Sequence, residues 1–178
     1  PADLAPETDP EQAQVDLILF LLKSGDLPWW ADKLITKDPT EALLELLERN
    51  SEKAVAEIQK LIQSRPADSH PQMAQYFIEH FAEHALSDFL AAAEPNLVGF
   101  FETVALILET YMRGGGAVPR REDFNEPEKF RYYLILRYYF DHVGAPPSPV
   151  EFLNYVVEMM SAGTGTSQHD VARLLIEI

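Results

Sequence analysis

Cysteine is absent from the 178 residues of this chain, so disulfides, thiolate metal sites and cysteine nucleophiles are excluded. Basic residues are scarce. Only 14 Lys and Arg stand against 29 Asp and Glu, for a net charge of −15. Binding to nucleic acid depends on Lys and Arg neutralising phosphates, so nucleic acid is not an expected partner. Bare anionic membranes are disfavoured for the same reason. Long apolar runs are also missing. The longest, "LILFLL" at Leu17–Leu22, falls far short of the roughly 20 residues that span a bilayer. No basic stretch precedes it, as a secretory signal requires, and membrane insertion is not expected. Alternating β-branched runs bounded by hairpin turns are lacking too.

What is present is helical. Apolar residues make up 47% of the chain, enough for a core in one large domain or two small ones. A first helix over residues 12–24 ends at Gly25, which suits the left-handed position after a helix. Its apolar residues cover most of its circumference, which predicts burial on more than one side. Then comes "SGDLPWWADK", residues 24–33, holding both tryptophans. Pro28 suits a first helical turn, where its missing N–H costs nothing. Adjacent helical residues point about 100° apart, so Trp29 and Trp30 cannot share a face. One is expected to pack back on the first helix while the other reaches forward or outward. Leu27, Pro28, Trp29 and Trp30 thus form a helix-to-helix corner, structural first. A tryptophan exposed on its outer side would favour a partner contact instead, since Trp is enriched in binding hot spots.

Beyond the corner, Asp38, Pro39 and Glu41 open a leucine-rich helix. "RNSEK" reads as a tight break, with Asn50 closing one helix and Ser51 opening the next, so that the two form an antiparallel hairpin. Ser69 is expected to cap a helix whose stripe is Met73, Tyr76, Phe77, His80, Phe81 and His84. A short helix near Ser87–Ala93 ends before Pro95, and Asn96 caps a long helix with Phe100, Val104, Ile107 and Leu108 on one face. The Gly114–Gly116 run predicts a hinge. Asn125 and Glu128 open a Tyr-rich helix that closes at Gly144, with aromatics on several faces and burial between subdomains as the favoured reading. Ser148, Pro149 and Glu151 start another helix. "SAGTGTS" is read as a loop before a last helix carrying Val171, Leu174 and Leu175. The expected class is all-α, an array of about eight short helices in a compact bundle or a short α-solenoid of helical hairpins. The expected layout is a helical array over 1–112, a Gly/Arg hinge over 113–125 and a second helical subdomain over 126–178, truncated at its C-terminus. Charge shifts along it, with 20 acidic and seven basic residues in 1–112 against nine and seven in 113–178. The chain begins at Pro1 without Met and stops within an apolar-periodic segment, which reads as a piece of a longer protein.

Candidate chemistry is sparse. His80 and His84 are spaced i, i+4, so on one helix two imidazoles could share a metal, but Phe81 stands where the zinc-protease pattern has Glu. A third ligand is not evident. The "RGGG" segment lacks the strand and the Gly-Lys-Ser/Thr ending of a phosphate loop. Arg113, Arg120 and Arg121 are the one basic cluster and suit an acidic patch on a neighbouring protein. Glu79 and Glu83 read as solvated charges, and no Ser-His-Asp order stands out. No catalytic residue, cofactor, metal or small-molecule substrate is expected.

"LFLLKSGDLPWWADK", "PTEALLELLERNSEKAVAEIQKLI" and "MAQYFIEHFAEHALSDFLAAAEPNLVGFFETV" together resemble the tape-measure proteins of bacterial contractile injection systems. The likeness lies in a Gly turn running into Leu27-Pro28-Trp29-Trp30, a leucine-rich helix pair, and a Phe-rich helix leading to the Glu94-Pro95 break. It covers about residues 17–110. The family's Asn-Ala-Gly-Leu segment is not found. The resemblance implies a non-catalytic assembly scaffold of a phage-tail-like particle. Such a protein contacts tube or baseplate subunits, sets tube length, and is built in the bacterial cytoplasm before joining a released or envelope-anchored particle. Two alternatives remain beside it: a helical adaptor that docks a peptide or partner helix, and a metal-dependent helical enzyme using His80 and His84.

Overall fold

A computed structural model describes residues 9–31, 38–113, 127–145, 148–165 and 167–176, with side chains omitted at 111–113, 127–128, 163–164 and 174–176. Among the described residues there are eight α-helices and no strand: α1 (Pro10–Ser24), α2 (Pro39–Gln63), α3 (His70–His80), α4 (Glu83–Ala93), α5 (Val98–Arg113), α6 (Pro127–Asp141), α7 (Pro149–Thr164) and α8 (Gln168–Ile176). They fall into two compact units, Pro1–Pro95 and Asn96–Ile178. The all-α expectation holds. The expected hinge 113–125 falls between α5 and α6 inside the second unit, and beyond Arg113 it lies outside the described residues.

In the first unit, α1 starts after Asp9, whose carboxylate accepts from the Glu11 amide at 3.4 Å. It stops at Gly25, which sits at φ +75° and returns its N–H to the Leu21 carbonyl at 2.8 Å. Asp38 caps α2 by accepting from the Thr40 amide at 2.9 Å, with Pro39 in the first turn as the sequence predicts. Contacts between α1 and α2 run in opposite sequence directions. Lys53 meets Glu11 at 2.7 Å, Gln14 reaches Glu45, and Leu17 shares a buried cluster with Ala42. The helices flanking the tryptophan corner are therefore an antiparallel pair.

The break expected at Asn50–Ser51 takes a different form. One helix, α2, runs through it with a single non-helical residue, Asn50, at φ −157° and ψ 73°. Its side chain accepts from the Lys53 amide at 3.2 Å. Asn50 thus recaps the second half of a kinked helix, the job expected of Ser51. Another difference lies at Phe81. The long helix expected to carry both His80 and His84 ends there, because Phe81 and Ala82 are extended (ψ 136° and 152°) and α4 starts at Glu83. The break is fixed from outside the segment: the Thr40 hydroxyl accepts from the Ala82 amide at 3.1 Å. Phe81 itself is buried, with its ring 5.2 Å from Phe77, while Phe77 lies 5.3 Å from Phe89. Ser69 makes no side-chain cap to α3; its hydroxyl donates to the Pro66 carbonyl at 2.7 Å within the 3₁₀ turn Ala67–Ser69.

In the second unit, α5 and α6 also pair antiparallel. Phe101 lies 5.7 Å from Tyr138 near one end, and Glu109 is 3.4 Å from Arg131 near the other. Phe152 of α7 enters between them, with ring distances of 4.6 Å to Phe101, 5.1 Å to Tyr138 and 6.1 Å to Phe100. Tyr132, Tyr133, Tyr138, Tyr139 and Phe140 are all buried, and the rings of Tyr138 meet helices of the same unit. The Tyr138 hydroxyl donates to the Ser148 carbonyl at 3.2 Å, and Ser148 caps α7 through the Glu151 amide at 3.4 Å. Helix α7 runs on through Ser161–Thr164 to a left-handed Gly165 at φ +68°, so the loop expected to begin at Ser161 starts four residues later.

Candidate functional site

The tryptophan corner is where local backbone chemistry and exposure diverge. Ser24 organises its first half. Its hydroxyl donates to the Phe20 carbonyl at 2.9 Å and accepts from the Asp26 amide at 3.2 Å. Gly25 lies beneath the ring of Tyr76, so close that a Cβ there would overlap Cε1 and Cζ of that ring. A second turn follows, closed by the Ala31 amide donating to the Pro28 carbonyl at 2.9 Å. Trp29 and Trp30 sit in this turn rather than in a helix, and residues 32–37 of the expected helix lie outside the described ones.

The two indoles part company, though from a turn and not from the two helix faces that the sequence predicts. Trp30 is half-buried against Leu17, Ala31 and Ala42, which ties the turn to α1 and α2. Pro28 is buried as well. Trp29, in contrast, is 58% exposed and Leu27 47% exposed. Phe20, one turn before Ser24, is 41% exposed. The sequence places Phe20 in a helix expected to be buried on more than one side. The signal for an outward phenylalanine was there, since a helix apolar around most of its circumference leaves some residues without a core to face. Exposed large apolar side chains clustered in sequence are more informative than scattered ones.

Of the other expected site residues, Arg113 is the last residue of α5 with its side chain outside the described set, and Arg120 and Arg121 lie outside it entirely. The histidine pair is separated: His80 ends α3 half-buried, and His84 is exposed in the first turn of α4. The i, i+4 geometry needed for shared coordination is thus removed by the break at Phe81. Among the described residues no three His, Asp or Glu gather as a metal site.

One polar cluster was not foreseen. Arg137 of α6 holds Asp141 at 3.2 Å through Nη2, while its Nε and Nη1 are buried. The Tyr155 hydroxyl is buried beside Arg137, and burial pushes it up to about 12, with the charge and a hydrogen bond of Arg137 pulling the other way. His142 stacks on Tyr138 at 4.2 Å and its Nδ1 lies 2.7 Å from the Tyr138 carbonyl. The cluster offers hydrogen-bond donors and a neutral phenol, with no nucleophile and base in contact.

Among the described residues the protein is all-helical, with α1–α2 and α5–α6 as antiparallel pairs, and it presents apolar side chains at a tight turn. The sequence model of the contractile injection system tape measure proteins matches residues 5–167, and the chain belongs to that family. No curated protein matches it, and no solved structure does.

Proposed function

We propose that this chain is a non-catalytic structural component of a bacterial contractile injection particle and works as a folded attachment unit of the tape measure. The observation that carries the reading is the family match over residues 5–167. Physical geometry supports the choice of attachment over ruler. A helix rises about 1.5 Å per residue, so a ruler gains most length from an unbroken run. Here α1 folds back on α2 and α6 folds back on α5, which spends residues on core rather than reach. Tube or baseplate subunits are the proposed neighbours. Assembly takes place in the cytoplasm, and the chain is then carried in a released or envelope-anchored particle.

The test is electron microscopy of particles from cells whose gene for this protein lacks the segment encoding residues 1–178. Loss of particles, or tubes of uncontrolled length, is the expected result. Particles normal in number and length would overturn the reading. Insertion of a helical segment between α2 and α3 separates the two roles, because an attachment unit leaves tube length unchanged and a ruler lengthens it. The adaptor reading has one observation in its favour, the exposed Trp29 and Leu27. It predicts a partner outside the particle, and copurification of this chain with intact particles would count against it.

A further inference from the structure

Nothing in the sequence of α2 forces its kink. Between Thr40 and Gln63 it holds no proline and no glycine, the residues that most often bend a helix sharply. The break is one non-helical residue, Asn50, whose Oδ1 accepts from the Lys53 amide at 3.2 Å. Core packing does not hold the break directly. Leu43 and Leu46 are buried before it and Ala54 and Ile58 after it, but no residue from Leu47 to Lys53 is buried. What converges there is a carboxylate from the neighbouring helix. Glu11 of α1 meets Lys53 at 2.7 Å. That hydrogen bond holds the Glu11 carboxyl below its ordinary value against the opposing pull of burial, helped by the charges of Lys53 and Arg49 and by a hydrogen bond from the Asn50 side chain. Asp9 and Glu57 are the further charges acting on Lys53.

The register of the helix pair changes across the break. Leu17 with Ala42 and Gln14 with Glu45 follow one antiparallel register, three residues along each helix. Continued, it brings Glu11 level with Glu48. Glu11 instead meets Lys53, five residues further on, a distance of roughly 7.5 Å along a straight helix. The kink and two long side chains take up that difference. We infer that Glu11 is a charge latch on a hinge at Asn50: its ionised carboxylate keeps α2 kinked, and without that charge α2 relaxes toward one continuous helix over residues 39–63. Continuity is the local preference here. Leu47, Glu48, Arg49, Lys53 and Ala54 all favour helix, and closing the ladder gives the Ser51 and Glu52 amides the acceptors that a helix start leaves out. A continuous α2 of 25 residues spans about 37 Å. The latch is a property of the folded first unit and does not rest on the attachment role.

The chain has no cysteine, so Glu41→Cys and Gln63→Cys, at two exposed positions, take a pair of spin labels in the otherwise unaltered protein. In a straight helix these two backbones lie about 33 Å apart, and the kinked parent is expected to give a shorter distance. Adding Glu11→Gln is expected to shift the main distance by several ångström toward that value. The same variant should slow hydrogen exchange at the Ser51 and Glu52 amides about tenfold, with the helical circular dichroism kept. Asn50→Ala, which removes the cap and the bond to Glu11 together, is expected to do the same with Glu11 intact. A distance and exchange rates unchanged by Glu11→Gln would overturn the inference. So would a broadened distance with faster exchange and lost helical signal, because Glu11 would then hold the fold and not the bend.

Discussion

Gly25 carries two constraints that meet at a single atom it does not have. Its φ of +75° lies in the left-handed region, where a Cβ costs about 1–2 kcal/mol. The Tyr76 ring occupies the space that Cβ would need. Gly25→Ala should therefore destabilise the first unit by more than the backbone cost alone, with the unfolding midpoint in urea as the measurement. Adding Tyr76→Ala to it should recover the steric part and leave the backbone part. A double variant no more stable than Gly25→Ala would mean that the ring moves aside freely. Thr40 is the other decisive residue, a buried hydroxyl that accepts from the Ala82 amide and so holds open the break that sends His80 and His84 into different helices.

Among the elements, the pairing of α1 with α2 is fastened at its open end by Glu11 and Lys53, 2.7 Å apart. The hydrogen bond from Lys53, ahead of its charge, holds the Glu11 carboxyl below the ordinary value, and the same bond raises Lys53. A lowered carboxyl stabilises the fold above the usual carboxylate range, and that contribution fades as pH falls through the folded-state value. The raised lysine stabilises below the ordinary lysine value and is lost as pH climbs through the raised one. Glu11→Gln should thus be less stable than the parent at neutral pH, with the gap closing in acid and shrinking in salt because solvent reaches both groups. Thermal unfolding across pH checks this, and a gap that persists in acid would assign the effect to packing. Helix ends built on short-range chemistry were legible from residues alone. Asp38–Pro39, Gly25 and Ser148–Pro149 all fall where propensity puts them, while α6 ends at Asp141, three residues before the expected Gly144. The Phe81 break was not, since its cause lies 42 positions away in Thr40. The Asn50 kink was legible as a break but not as a single residue, because Asn caps from its own side chain without needing Ser51.

For the whole molecule, the division at Pro95 and Asn96 implies that the first unit carries its own core. Leu17, Leu43, Phe77 and Phe89 are fully buried within it. Residues 1–95 expressed alone should show a helical circular dichroism spectrum and one cooperative melt. A spectrum of an unfolded chain would show that this unit borrows its stability. Among the described residues no helix is long and apolar enough to cross a membrane, in keeping with the short apolar runs.

The sequence by itself determined the helical class, most helix ends and the family likeness. Each of these follows from neighbours within a turn or two, where propensity, capping and side-chain direction act. Only the tertiary structure decided that the two tryptophans share a tight turn between antiparallel helices, that the histidine pair is split, and which indole faces outward. Those outcomes depend on what arrives from distant segments, Ala42 against Trp30, Tyr76 over Gly25 and Thr40 at Ala82, and burial is a property of such arrivals rather than of the residue buried.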